Sequence, residues 1–157
     1  MNTIIDRIAA QCLAHGLRAG VAESCTGGLV AAALTEAPGA SAWFAGGVVA
    51  YAEAVKTTLL GVPAETLARH GAVSAETALA MAEGARRALG ADAAVAVTGL
   101  AGPGGDDRHP VGTVFVGAAG PNGAHVRQFL FAGDRGEVRT QARDAALAAL
   151  LAALQRP

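Results

Sequence analysis

The chain has 157 residues, 52% of them hydrophobic, 16% charged and 4% aromatic, with 21 glycines and a formal net charge of −1. That length fits one domain burying about 68–70% of its unfolded surface; the composition is too apolar for a disordered chain, and the charge offers nucleic acid no broad cationic face. A mean hydropathy of +0.38 does not make a membrane span, because the longest stretch without Asp, Glu, Lys or Arg, the 18 residues His109 to Val126, is broken by Pro110, Pro121 and glycines and cannot run as a helix of ~20 apolar residues.

Ile4, Ile5, Ile8, Leu13 and Leu17 recur near helical spacing and predict a helix from Met1 to Leu17, with Gly16 and Gly20 marking its end. Gly20 to Ser24 reads as a short strand running into Cys25-Thr-Gly-Gly28, then an apolar helix over Leu29 to Leu34 that stops near Pro38-Gly39. Trp43 to Tyr51 is a second strand, interrupted by Gly46-Gly47. Lys56 to Leu60 is a helical turn, and Pro63, at a first helical position, opens another short helix up to His70. Ser74 is the N-cap of a long helix that reaches Leu89 and is closed by Gly90. Ala93 to Thr98 has the continuous apolar character of a buried parallel strand. A loop of about a dozen residues follows, Gly99 to Pro110, long enough to be functional or disordered. Val111 to Ala118 and His125 to Phe131 flank Gly120-Pro-Asn-Gly123 as a hairpin, and Asp134 starts a last helix rich in Ala and Leu.

Helices alternating with strands, plus one late hairpin, imply a single domain: a three-layer α/β/α sandwich with a mixed, mostly parallel five-stranded sheet. Alanine is roughly a quarter of the chain, so small side chains must fill the core and the layers should pack closely. In open sheets ligands bind beyond the carboxyl ends of parallel strands, here Ser24, Tyr51 and Thr98. No run of basic, apolar and small residues resembling a signal peptide opens the chain, and Cys12 and Cys25 make neither a disulfide framework nor a metal-ligand pair. The cytoplasm is the expected compartment.

Four segments carry candidate chemistry. Ser24-Cys-Thr-Gly-Gly28 lies at a strand-to-helix junction, where a hydroxyl could attack a carbonyl while main-chain N–H groups hold the oxyanion; equally, Ser24 or Thr26 could cap the helix. Cys25 is a rival nucleophile without a histidine placed beside it, and Glu23 reads as a strand-end charge. Lys56 is the only lysine against eleven arginines. Unlike arginine, a desolvated lysine can act as a base, and Tyr51 precedes it by five positions. Gly99, Gly102, Gly104 and Gly105 suit either an anion-cradling loop or a plain turn; Asp106 and Asp107 could recruit a cation or simply be solvated. Arg135 and Arg139, four apart, share a helix face suited to phosphate or carboxylate, or are ordinary surface arginines. The four histidines are scattered and read as solvent-facing or capping.

Taken together, Ala22-Glu-Ser-Cys-Thr-Gly-Gly28, Pro38-Gly-Ala-Ser41, Gly46-Gly-Val-Val-Ala-Tyr51 with Lys56, Leu59-Leu-Gly-Val62, His70-Gly-Ala-Val-Ser74, Thr98-Gly-Leu-Ala-Gly-Pro103 and Pro110-Val-Gly-Thr113 resemble the CinA C-terminal domain family, in one order, from about Ile8 to Leu150. Active members of that family are nicotinamide-nucleotide amidases. The resemblance implies hydrolysis of the carboxamide of nicotinamide mononucleotide to nicotinate mononucleotide and ammonia; no cofactor is expected and no metal ligand is assigned. It also implies a serine nucleophile, which falls on Ser24, assisted by Lys56 and Tyr51. Helix-start N–H groups from Thr26 to Gly28 would hold the oxyanion; Cys25, Thr26, Gly27, Gly28, Thr98, Gly99, Ala101, Gly102 and Arg135 would surround the substrate. Many relatives carry Ser-Asn where this chain has Ala52-Glu53, a change that removes a polar amide and lets Glu53 pair with Lys56 and keep it protonated. Two alternatives stand beside this reading: a nucleotide-binding regulatory module without turnover, and hydrolysis of another amide by the same site. The apolar stretch Asp144 to Leu154 could offer a face to a second copy, with a homodimer expected, or could equally be ordinary core.

Overall fold

The computed structural model describes residues 3–155. Met1 and Asn2, where the sequence reading begins the first helix, lie outside the described residues. Helix α1 (Ile4–His15) starts at Thr3, whose side chain and that of Asp6 cap one another's backbone, and ends at Gly16 in the left-handed region. Strand β1 (Ala19–Glu23) is buried along its whole length and leads through 24–28 into α2 (Leu29–Thr35). Strand β2 (Phe44–Val49) follows, then α3 (Glu53–Leu60), α4 (Ala64–His70) and α5 (Ala75–Leu89). Strand β3 (Ala93–Gly99), the hairpin of β4 (Thr113–Gly120) and β5 (Gly123–Leu130), and α6 (Arg135–Leu154) complete the chain.

The sheet order is β2-β1-β3-β4-β5. Strands β1, β2 and β3 are mutually parallel, and each hairpin strand is antiparallel to the one before it. Strand β4 alone is therefore reversed, and the sheet is mixed but mostly parallel. Helices α1, α2 and α6 cover one face and α3 and α5 the other, as the two core clusters show. Alternation along β3 explains the division. Ala93, Val95 and Val97 belong to the first core, while Ala94 and Ala96 belong to the second. Small residues let the second layer sit close. A Cβ on Gly117 of β4 would lie 2.6 Å from the Ala78 carbonyl oxygen of α5, and one on Gly84 of α5 would overlap the Leu60 carbonyl of α3.

Two local readings differ from the structure. Gly46-Gly47 does not interrupt β2; the register with β1 shifts once, from Ala19↔Phe44 to Gly20↔Gly46, so Ala45 is a one-residue bulge in a continuous strand. Pro63 is the N-cap of α4 rather than its first residue, with ψ 135°, because the residue before a first turn keeps extended geometry. Among the described residues no helix is long and apolar enough to cross a membrane.

Candidate active site

Two ladder-extending hydrogen bonds assemble the site at the carboxyl ends of β1, β2 and β3. The Ser24 amide donates to the Val97 carbonyl at 2.9 Å, and the Ala50 amide to the Glu23 carbonyl at 2.8 Å. The segments leaving β1 and β2 therefore run side by side, which brings Ala50 and Tyr51 next to Ser24. Helix α3 then turns back and delivers Lys56 one turn in.

Lys56 is only 1% exposed. Its Nζ lies 2.7 Å from the Ala50 carbonyl oxygen, 3.1 Å from that of Tyr51 and 3.1 Å from Ser24 Oγ. Burial pushes its pKa below the ordinary lysine value, with Glu53 and Cys25 opposing that shift. A neutral amine has two hydrogens and one lone pair. Nζ donates to all three oxygens; in the neutral form the two carbonyls would take both hydrogens and leave the lone pair for the Ser24 hydroxyl. The three neighbours thus hold the amine against the serine hydroxyl. Glu53 is exposed and forms no ion pair with Lys56 among the described residues, so its charge acts from a distance.

Glu23, which the sequence presents as a strand-end charge, is 1% exposed and turns under the loop. Its carboxylate accepts from the amides of Gly28 (3.2 Å), Val30 (2.9 Å) and Ala31 (3.0 Å). It is the anion at the start of α2, and it consumes the N–H groups expected to serve a ligand there. The Gly27 amide is also used, donating to the Ser24 carbonyl at 3.0 Å. The amides of Cys25 and Thr26 are left without an acceptor among the described residues. Of the donors expected from Thr26 to Gly28, only that of Thr26, with Cys25 before it, is left open to a ligand.

The remaining candidates separate by burial. Thr26 is wholly buried and its Oγ1 has no hydrogen-bond partner among the described residues; it does not meet Lys56. Burial pushes the Cys25 thiol up to about 11, so it is uncharged and poorly nucleophilic at neutral pH. Thr98 is buried and donates to the Ala72 carbonyl at 2.7 Å, tying the loop before α5 to the sheet instead of lining the cleft.

A small cleft beside the loop is lined by Cys25, Tyr51, Arg135 and the main chain of Gly99 to Gly102 and Gly104. Arg135 Nη1 donates to the Gly102 carbonyl and Nη2 to the Tyr51 hydroxyl, the latter at 3.1 Å. Tyr51 is 60% exposed, so its phenol stands at the cleft mouth while its carbonyl holds Lys56. The two arginines do not act as a pair: Arg139 Nε donates to the Cys25 carbonyl at 3.0 Å and Nη2 to that of Thr26 at 3.2 Å. Asp106 closes its own turn by accepting from the amides of Arg108 and His109. No group of three or more His, Cys, Asp or Glu placed to hold a metal occurs among the described residues. A separate groove between α6 and β5, lined by Val116, Phe129, Ala145 and Ala149 among others, contains none of the reactive side chains.

Ala50 is the contributor the sequence reading missed, while Glu23 and Arg139 were singled out for other roles than the main-chain contacts they make. A glutamate ending an otherwise apolar strand, five residues before a helix, was the one available signal for Glu23. Ala50 acts through its carbonyl, which a sequence does not display.

Residues 1–154 match the family model described as CinA C-terminal domain. A "CinA-like protein" of Anaeromyxobacter dehalogenans is 54% identical over 151 residues, covering 96% of this chain and 37% of the relative. The chain spans about a third of the length of the curated relatives it matches. Among solved structures, the competence/damage inducible protein CihA from Agrobacterium tumefaciens superposes with a TM-score of 0.92 at 43% identity, covering 97% of this chain and 94% of that one. The competence damage-inducible protein A of Klebsiella pneumoniae gives 0.91 at 41%, covering 96% and 94%.

Proposed function

The chain belongs to the CinA C-terminal domain family, and on that premise we propose that it is an amidohydrolase that deamidates nicotinamide mononucleotide through a Ser24 acyl-enzyme. The observation that carries this reading is the buried Lys56 amine 3.1 Å from Ser24 Oγ, with its pKa lowered by burial. A lysine beside a serine hydroxyl has little structural reason to be desolvated; as a base it must be.

Neutral Lys56 takes the Ser24 proton as Oγ bonds to the carboxamide carbon. The resulting oxyanion is held by the Cys25 and Thr26 amides. Collapse breaks the C–N bond, Lys56 returns the proton to the leaving nitrogen, and ammonia departs. Water, deprotonated by Lys56, then attacks the ester carbon; the C–Oγ bond breaks, Lys56 returns that proton to Ser24 Oγ, and nicotinate mononucleotide is freed. The Tyr51 hydroxyl accepts from Arg135, so its own hydrogen is available to the substrate or to the leaving amine.

Cleft chemistry supports a phosphorylated substrate. Its lining residues include a guanidinium and a glycine-rich main chain but no carboxylate, which favours an anionic ligand. The test is ammonia release from nicotinamide mononucleotide by the parent and by Ser24→Ala. Release by the parent alone is expected. Equal release by both would move the nucleophile elsewhere, and saturable binding without release by the parent would favour a nucleotide-binding regulatory module.

A further inference from the structure

We infer that Arg139 is a positioning residue that orients and polarises the Thr26 amide, one of the two candidate oxyanion donors, through the carbonyl of its own peptide, an inference that rests on the hydrolase reading above. A trans peptide is planar, with its C=O and N–H pointing in opposite directions. Holding the oxygen therefore aims the hydrogen. The two amides left free, Cys25 and Thr26, belong to consecutive peptides whose oxygens are both engaged. The Ser24 carbonyl accepts from the Gly27 amide at 3.0 Å. The Cys25 carbonyl accepts from Arg139 Nε at 3.0 Å, which points the Thr26 N–H away from α6.

The next carbonyl, that of Thr26, takes both the Leu29 amide at 3.1 Å and Arg139 Nη2 at 3.2 Å, so one guanidinium spans two peptides. That is a use of the planar fork that a lysine cannot copy. Arg139 forms no ion pair with an acidic residue among the described residues, and its charge is directed at these oxygens. A cation on a carbonyl draws electrons from the same peptide's N–H and strengthens it as a donor. The platform is fixed, because Val138 and Ala142 on either side of Arg139 are buried in the core. Glu23 works from beneath: by saturating the first amides of α2, it leaves the free donors only where the oxyanion would form.

Arg139→Ala is expected to lower kcat for ammonia release about 10–100-fold, short of the 10²–10³ for deleting an oxyanion donor outright, with KM and the pH midpoint held. Arg139→Lys, able to reach one carbonyl at a time, should fall between. Unchanged kcat in the alanine variant would overturn the inference while leaving the hydrolase reading intact. A raised KM at constant kcat would also overturn it, by placing Arg139 on the substrate. A readout independent of turnover covers a parent that releases no ammonia: the Thr26 amide proton should move upfield in the NMR spectrum of folded Arg139→Ala or Arg139→Lys. A static resonance in both would contradict the inference.

Discussion

Lys56 Nζ and Ser24 Oγ lie 3.1 Å apart although 32 positions separate them in sequence. Parallel pairing of β1 with β2 makes the meeting possible, because it sets both strand ends at one edge and lets α3 fold back over them. The lysine brings no carboxylate partner with it, and two main-chain carbonyls occupy its other hydrogen-bonding positions. A charged lysine there is buried among dipoles alone, which is why its pKa is lowered.

That arrangement fixes a pH dependence. On the proposed mechanism activity requires neutral Lys56, so kcat/KM should rise with pH through a midpoint below the ordinary lysine value. Glu53 opposes the downward shift; Glu53→Gln removes a negative charge, lowers the Lys56 pKa further and moves the midpoint to lower pH. Lys56→Ala should cost about 10²–10⁴-fold in turnover, the range for a general base, with substrate binding kept. A profile unmoved by Glu53→Gln would separate the limb from Lys56.

Arg135 offers its guanidinium to the cleft. Replacing it with alanine should raise KM for nicotinamide mononucleotide about tenfold, one charge-assisted hydrogen bond, with kcat within about twofold. Steady-state kinetics decides this, and an unchanged KM would remove Arg135 from the substrate contacts.

Glu23→Ala strands three amides at the start of α2. A loss of about 2–3 kcal/mol in urea unfolding is expected, together with reduced kcat because the nucleophile loop loses its lower support. Glu23→Gln keeps one acceptor oxygen and should be intermediate.

Gly84 lets α5 approach the carbonyl of Leu60 at the end of α3. A methyl group there forces the helices apart, at about 1–3 kcal/mol by analogy with overpacked cores. Because α3 carries Lys56, Gly84→Ala should lose activity as well as thermal stability. Full activity in the folded variant would show that the site tolerates movement of α3.

Much of the fold was legible because local signals and global pattern agree. Ser74 and Asp134 cap the helices they were expected to cap, and the apolar run Ala93 to Thr98 is the buried strand. The pairing of β2 against β1 was not legible past Gly46, since a bulge depends on a partner strand. At the site, Ser24, Lys56 and Tyr51 were conspicuous as residue types. What escaped was contact made through the main chain: the Ala50 carbonyl on Lys56, and Arg139 on Cys25 and Thr26. Thr98 shows the converse, a hydroxyl at the right strand end whose side chain faces away, toward Ala72.

The most direct test is to quench the reaction with nicotinamide mononucleotide early and locate the acyl group by peptide mass spectrometry. An ester on the peptide containing Ser24, absent from Ser24→Ala and placed on the serine by fragmentation, is the expected result. Ammonia released with the acyl group on Cys25, or with no acyl-enzyme at any quench time, would contradict the serine mechanism.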